Sequence, residues 1–417
     1  MACSSYNPAP RIAFFTDSFH ETNGVALTSR EFERYASRHG LPFLSIHAGE
    51  RTLWRSEGAG ETVELRRSSL SLPLDRGLSF DPLLPRYLNQ VTRRTRRFRP
   101  DFIHFTGPGD FGVLAMLAAA RLRTPLIGSG HTNLHEFAAQ RLENLLGFLP
   151  APIPRAVSLP AESAALAICL ASYRSATVCW APNPELIEMV RRGTNRQTFP
   201  MPRGVDTSLF DPGKRPAGER PFTIGFTGRL QAEKNVRFLA EIEDALMTGP
   251  VDDFRFLIVG DGDERAWLQR RMRRAALPGT LTGELLARAY AEMDVFVFPS
   301  RTDTFGNVVL EAMASGVPVI VTGSGGPKYL VGSGENGFVA ATEAAFIDCV
   351  RLLMREGELR TRLAEGARAF ALTQSWDATF ERVYQAYREA SAARTASSAS
   401  GLTRAPGRER RQSPQLR

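Results

Sequence analysis

Short apolar runs alternate along this chain with longer stretches whose apolar residues recur at helical spacing. Residues 11–15 read as a strand. Asn23-Gly24 follows, and Val25, Thr28, Phe32, Tyr35 and Ala36 then share one helical face that Gly40 closes. Residues 41–46, 102–105 and 126–128 predict further strands, with a helix over 111–121, and 176–180 predict the last long strand of this half. Residues 50–85 place Leu70, Leu72, Leu74, Leu78 and Phe80 between polar neighbours and fit neither period. A second series begins at residue 222: strands over 222–226, 254–259, 295–298 and 317–321 alternate with helices over 235–247, 284–292 and 307–314. Helices also cover about 343–370 and 375–390.

Strand–helix alternation predicts parallel sheets with helices on both faces. Two such series predict an α/β chain of two Rossmann-like domains facing a cleft. The boundary falls at Arg203-Gly204-Val205-Asp206, giving domains over 10–205 and 206–373, a helix over 374–390, and a tail over 391–417 whose Ser, Ala, Arg and Pro read as disordered.

Composition agrees: 417 residues, 43% of them hydrophobic, exceed one ordinary core. No uninterrupted run of about 18 apolar residues predicts a membrane span. The N-terminus lacks the basic-then-apolar order of a signal peptide, so the expected location is cytoplasmic. Cys3, Cys169, Cys179 and Cys349 lack paired spacing, which excludes a zinc or redox cysteine motif and reads them as small buried hydrophobes. The net charge of +8 is uneven, because the tail carries six Arg and one Glu, leaving only +3 on the body. Lys214, Lys234 and Lys328 are the only lysines.

In open parallel sheets, ligands sit beyond the carboxyl ends of the strands. Gly228, Arg229 and Lys234 follow the strand over 222–226 in FTGRLQAEKN, where a forked guanidinium and an ammonium beside a helix start suit a diphosphate. A solvated basic turn is the alternative. Asp303 and Glu311 follow the strand over 295–298 in PSRTDTFGNVVLEAMASG, with Phe305, Gly306 and Asn307 offering backbone N–H groups between them. A loop carboxylate there can accept from sugar hydroxyls and a helix carboxylate can grip a ribose diol; a capping acid and a surface glutamate are the alternatives. His131, past the strand over 126–128, is a cleft or a buried residue, whereas His104 and His135 read as structural. Gly24 lets a backbone approach a ligand closely.

These pieces in this order resemble the retaining glycosyltransferases of family 4, which have the GT-B fold. The resemblance spans about residues 10–390 through TDSFHETNGV, GHTN, PRGVD, GRLQAEKN, VGDG, the 303–311 segment and Gly325-Gly326-Pro327. DTFGNVVLEAMASG is similar to the branch of phosphatidylinositol mannosyltransferases and sulfoquinovosyl-diacylglycerol synthases, with Asp303 where the wider family has Glu. The resemblance implies that the C-terminal helix returns to the first domain and that a hexose, mannose-like, moves from a GDP- or UDP-linked donor to a lipid or lipid-linked acceptor. It implies that Arg229 and Lys234 bind the diphosphate, Glu311 the ribose, and Asp303 with the Phe305–Asn307 backbone the sugar. His131 would contact that sugar and Gly24 the phosphate or acceptor. No metal or other cofactor is implied.

Two departures leave the base and sugar pocket open: the stretch after Ala276 is shorter than the family's, and Gly130 stands where an aromatic is common. A soluble acceptor and nucleotide-sugar epimerisation are alternatives on the same fold. A dinucleotide oxidoreductase is disfavoured, because no Gly-x-Gly-x-x-Gly follows the first strand. Leu83, Leu84, Tyr87, Leu88 and Val91 precede arginines at 93, 94, 96, 97 and 99 at roughly helical spacing. Such a face would dock on anionic lipid at the inner side of a membrane, unless it is packed in the core. The basic tail lacks the aromatic interleaving of a nucleic-acid binder.

Overall fold

The computed structural model describes residues 9–21, 23–75, 78–130, 152–201, 203–249 and 253–402. Among these residues the first sheet holds β1 (Ile12–Phe15), β2 (Phe43–Ala48), β3 (Leu53–Glu57) and β4 (Gly60–Leu65). A separate antiparallel hairpin, β5 (Leu72–Asp75) with β6 (Leu78–Phe80), precedes the rest of that sheet: β7 (Phe102–Phe105), β8 (Leu126–Ser129), β9 (Val178–Ala181) and β10 (Thr198–Pro200). The order is β10-β9-β8-β7-β1-β2-β4-β3, parallel except for the β3–β4 pair. Helices α1 (Gly24–Arg38), α2 (Leu88–Phe98), α3 (Asp110–Leu122), α4 (Pro152–Arg174) and α5 (Pro184–Thr194) belong to this half.

The stretch over 50–85 thus supplies the edge strand β3, its inner neighbour β4 and a hairpin. β3 is mostly exposed at the sheet edge, so its sequence carries no clean alternation. β10 also extends the sheet past the last long strand; it is three residues long and largely exposed.

The second sheet is wholly parallel, in the order β13-β12-β11-β14-β15-β16. Its strands are β11 (Phe222–Thr227), β12 (Phe254–Val259), β13 (Ala275–Gly279), β14 (Val295–Phe298), β15 (Val319–Thr322) and β16 (Gly337–Ala340). Around it lie α6 (Phe238–Met247), α7 (Arg265–Arg271), α8 (Gly283–Ala291), α9 (Asn307–Ala314), α10 (Glu343–Arg355) and α11 (Gly357–Thr373). Sequential connections run outward on one side of β11 and on the other side from β14. The strand order therefore reverses between these two, opening a crevice at their carboxyl ends.

The chain crosses between halves twice, side by side. Val205 N–H donates to Gln374 O at 2.9 Å, and Val205 bridges Ser375. Gly204 is required there, because a Cβ would sit 2.5 Å from the Trp376 Cα. The last helix, α12 (Trp376–Leu402), then lays Phe380, Tyr384 and Tyr387 against Phe32, Phe102 and Trp180 of the first half. Within this cluster buried His104 bonds Tyr387 Oη at 2.6 Å and Ser129 Oγ at 2.8 Å, a structural role. α12 continues to Leu402, past the expected limit at 390. The rest of the expected tail, 403–417, lies outside the described residues.

The face expected to dock on lipid is packed inside instead, except for Leu83, which is exposed. Val91 and Phe98 join Leu84, Ile103, Phe111 and Leu114 in one buried cluster. The arginines at 93, 96, 97 and 99 point to solvent, and the Arg94 guanidinium lies 5.3 Å from the Trp54 ring centre. Among the described residues no helix is long and apolar enough to cross a membrane. Cys169 and Cys179 are buried and Cys349 partly so.

Candidate active site

The crevice at the β11/β14 switch gathers most of the residues that the sequence singles out. β11 ends at Thr227, and the chain turns through Gly228, whose φ of +152° suits glycine, to Arg229 and a 3-10 turn over Ala232–Lys234. β14 ends at Phe298 and leads into the loop that carries Asp303. Lys234 Nζ donates to both Asp303 oxygens at 2.8 Å. Burial would raise the Asp303 carboxyl, but the Lys234 charge and hydrogen bonds outweigh it, with help from Ser300 and Arg229, and hold it below its usual range. Arg229 lies beside Glu233, with Nη2 3.3 Å from the carboxylate, and keeps two-fifths of its side chain exposed. Thr302 Oγ1 ties the two loops together by donating to Glu233 O at 3.3 Å.

Beyond Asp303 the loop is cradled from below. Gly326 N–H donates to Asp303 O at 2.6 Å, and a Cβ on Gly326 would strike Thr304 O. Phe305 buries its ring in the core, so only its backbone faces the site. Gly306 takes a left-handed φ of +90° and starts α9 with no side-chain cap, leaving the first amides of that helix uncapped by a side chain. Glu311, one turn in, is half-buried and accepts from Tyr290 Oη at 2.8 Å. Burial pushes the Glu311 carboxyl up to about 7, against the opposing pull of that tyrosine.

The first half meets this crevice through the start of α1. Asn23 caps α1 by accepting from Val25 N at 3.0 Å and Ala26 N at 2.9 Å. Gly24 then faces α9 across the cleft. A Cβ on it would lie 2.9 Å from Arg203 Nη1 and 3.4 Å from Asn307 Nδ2. Arg203 is buried, donating to Gly24 O and, at 2.8 Å, to Thr28 Oγ1. Burial draws its guanidinium down to about 10, and the Asp303 charge resists this. Two further contacts clasp the halves: Asn183 Nδ2 to Thr304 O at 2.6 Å and Lys328 Nζ to Glu185 Oε1 at 2.6 Å.

The structure thus brings Gly24, Arg229, Lys234, Asp303, Phe305, Gly306, Asn307 and Glu311 to the strand ends around one cleft. His131 lies outside the described residues, as does His135; Gly130, the last described residue before them, donates its N–H to Trp180 O at 2.8 Å. Sequence reasoning missed Arg203 and Tyr290 as site residues. Arg203 stands in the motif that marked the domain boundary, and Tyr290 is the one polar aromatic on α8; neither signal shows what the side chain meets. It also missed the buried acid pair Asp17 and Asp110 of the first half. Asp17 accepts from Phe111 N at 2.9 Å, and burial with the Asp110 charge pushes it up to about 7.

With this geometry in hand, residues 22–209 match the family described as Glycosyltransferase Family 4, and residues 221–356 match Glycosyl transferases group 1. The chain is 32% identical to a GDP-mannose-dependent alpha-mannosyltransferase of Corynebacterium glutamicum over 340 residues, covering 79% of this chain and 76% of that protein. It is 28% identical to the sulfoquinovosyl transferase SQD2 of Arabidopsis thaliana, covering 89% of this chain and 72% of that one. The sucrose-phosphate synthase of Thermosynechococcus elongatus superposes on 92% of the chain and 100% of its own with a TM-score of 0.70 at 18% identity, which places the fold in the GT-B class.

Proposed function

The chain belongs to glycosyltransferase family 4, and from that membership we propose that it moves a mannose-like hexose from a nucleotide-sugar donor to a lipid or lipid-linked acceptor, with retention of anomeric configuration. The observation that carries this reading is the Lys234–Asp303 pair at the β11/β14 switch, opposite Gly24. A nucleotide diphosphate entering there meets Arg229 and Lys234. Lys234 trades one carboxylate for phosphate oxygens, and Asp303 is freed to accept from sugar hydroxyls. The uncapped amides at the start of α9 face the same anion, and Glu311 accepts from the ribose diol. The family resemblance assigns His131, which lies outside the described residues, to the transferred sugar.

In the reaction, the bond from the anomeric carbon to the phosphate oxygen breaks with its electron pair going to the diphosphate. The acceptor oxygen bonds to that carbon from the same face, and its proton passes to the departing phosphate oxygen. The two carboxylates hold substrate rather than act as the acid–base pair of a glycoside hydrolase. Arg229 and Lys234 meet the charge that develops on the diphosphate, so no metal ion is assigned to this step.

Similarity to the GDP-mannose-dependent relative supports the mannose reading. Exposed Leu70, Leu72 and Leu83 support a lipid acceptor. Burial of the apolar face of α2 favours a second reading with a soluble acceptor. Incubation with labelled GDP-mannose or UDP-glucose, with lipid extract or soluble sugars as acceptor, separates these. Transfer from GDP-mannose into an organic-soluble α-mannoside is the expected outcome. A β-linked product overturns retention, and label only in water-soluble product overturns the lipid acceptor. Absence of sedimentation with anionic vesicles at low salt would also count against a membrane-bound acceptor.

A further inference from the structure

On the outer part of the first sheet, between α1 and the strands β4 and β3, a cavity of about 240 Å³ opens. None of the donor-side residues lines it. β2 and β4 run parallel with His47 opposite Glu64, so both side chains rise from the same face. His20, in the loop after β1, comes over them from above. The three offer one ligand atom each, all within 4.8 Å of one another.

The His47 ring is buried, 1% exposed. Its Nδ1 faces Ala48 O at 2.9 Å, and a carbonyl only accepts, so Nδ1 carries the proton. Nε2 then presents a lone pair, and it has no hydrogen-bond partner. A buried imidazole nitrogen left unpaired costs stability unless a ligand meets it. Phe19 stacks on the ring at 3.8 Å and 3°, which fixes its plane. Glu64 is buried to 8% exposure, with Oε1 held by Arg55. Its Oε2 rests against Gly49, where any side chain would collide with it. Glu33 also lines the cavity; one oxygen accepts from Thr62 Oγ1 at 2.8 Å and the other is buried without a partner. With Glu57 and Glu61 the lining holds four carboxylates against the single arginine, a charge balance that suits a cation.

We propose that His20 and His47 imidazole nitrogens and a Glu64 carboxylate oxygen bind a divalent transition-metal ion, best Zn2+. Two imidazoles and a carboxylate with a fourth position open is a set that Zn2+ accepts, and the Nδ1–carbonyl bond of His47 and the Arg55 contact of Glu64 are the supporting bonds such ligands need. Ligands around a tetrahedral zinc stand roughly 3.3 Å apart. The set therefore has to draw in slightly, which the exposed His20 side chain supplies. The ion ties the β1–α1 loop to the sheet. That loop is also held by Glu21, which accepts from Ser18 Oγ at 2.9 Å and Phe19 N at 2.7 Å, by Asn23 Nδ2 donating to Ser18 Oγ at 2.8 Å, by Thr16 Oγ1 donating to Ser18 O at 2.8 Å, and by Arg30 donating to Phe19 O and Glu21 O. It ends at Gly24, so metal loading stiffens the wall of the cleft.

The test is a Zn2+ titration of tag-free, chelator-stripped protein against a chromogenic chelator. One equivalent is expected in the wild type with submicromolar affinity, with at least a tenfold loss in His20→Ala and in Glu64→Gln. His20 is exposed, so His20→Ala keeps its fold, which circular dichroism checks; His47→Gln is the buried counterpart. Amide exchange of Ser18 to Glu21 should slow on loading. No binding by the wild type, or a loss under tenfold in His20→Ala, overturns the site. Binding without slower exchange overturns the link to the loop.

Discussion

The cleft and the His47 cavity solve opposite problems. In the cleft the charges are paired, Lys234 with Asp303, Arg229 with Glu233 and Glu311 with Tyr290, and the atom left over on the start of α9 is a donor, Asn307 Nδ2. In the cavity, buried acceptor atoms of His47 and Glu33 go without a partner. A site for a large polar donor can keep its charges paired when empty, because the ligand exchanges one set of charged hydrogen bonds for another. A site for a bare cation cannot, because lone pairs must converge with nothing between them. The self-paired cleft therefore predicts competition, and the cavity predicts a bound ion.

Breaking the cleft pair gives the largest effect. Lys234→Ala should lower kcat by about 10³-fold, as expected when one preorganised donor to a developing anion is removed. It also leaves the half-buried Asp303 carboxylate without its partner and lowers the melting temperature. Lys234→Ala with Asp303→Asn should recover the melting temperature and not the turnover. Near-normal turnover in the single variant sinks the donor assignment, and a double variant no more stable than the single sinks the pairing argument.

Gly24→Ala follows. The added methyl would sit 2.9 Å from Arg203 Nη1, and Arg203 is buried with little room to retreat. The start of α1 must shift by a few tenths of an ångström, and such misplacement at a reacting centre costs up to about 10²-fold in rate. Steady-state kinetics should show that loss mainly in kcat, with the folded state unchanged by circular dichroism. An unaltered kcat means that Gly24 does not approach the reacting groups.

Proton traffic at Glu311 sharpens the comparison next. Its carboxyl sits at about 7 in the folded chain against an ordinary 4.5. Both states are protonated below 4.5, so the full stability is present there. As pH rises towards 7 the unfolded chain ionises first, and stability falls by about 1.4 kcal/mol per pH unit, then levels off. Glu311→Gln should remove that slope from the melting curve of the ligand-free protein. A ribose diol donating to Glu311 favours the ionised form, so nucleotide binding near pH 6 should release a proton. Calorimetry in two buffers of different ionisation heat reads it; equal heats in both argue against the ribose role.

How much of this was legible follows from the distances over which each feature is built. The α1 start was readable, because Asn23 and the apolar face after it lie within one segment. Lys234, Asp303 and Glu311 were each visible at a strand end, but the Lys234–Asp303 bond joins residues 69 apart and no local pattern states it. Arg203 showed only as part of a boundary motif, since burial of an arginine depends on what the other half lays over it. The edge strand β3 and its neighbour β4 were missed because a half-exposed face blurs the alternation. The His47–Glu64 pairing depends on cross-strand register, which the sequence of either strand alone does not hold. The α2 stripe was legible as amphipathic, but core packing and lipid docking share that pattern.

The smallest effect tests burial with the chemistry held constant. Lys328 and Glu185 form an ion pair across the rim of the cleft at 2.6 Å, with 23% and 56% of their side chains exposed. Lys234 and Asp303 form the same kind of pair at 2.8 Å with 13% and 23% exposed. Water screens the rim pair more, and pairs of that kind contribute about 1 kcal/mol or less. Lys328→Ala should therefore shift stability by no more than about 1 kcal/mol in denaturant melts. Turnover should stay within about twofold, since Lys328 is held by Glu185 and takes no part in the Lys234–Asp303 pair. A loss of rate approaching that of Lys234→Ala would mean that the donor charge is met at the rim, and that the cleft pair is structural.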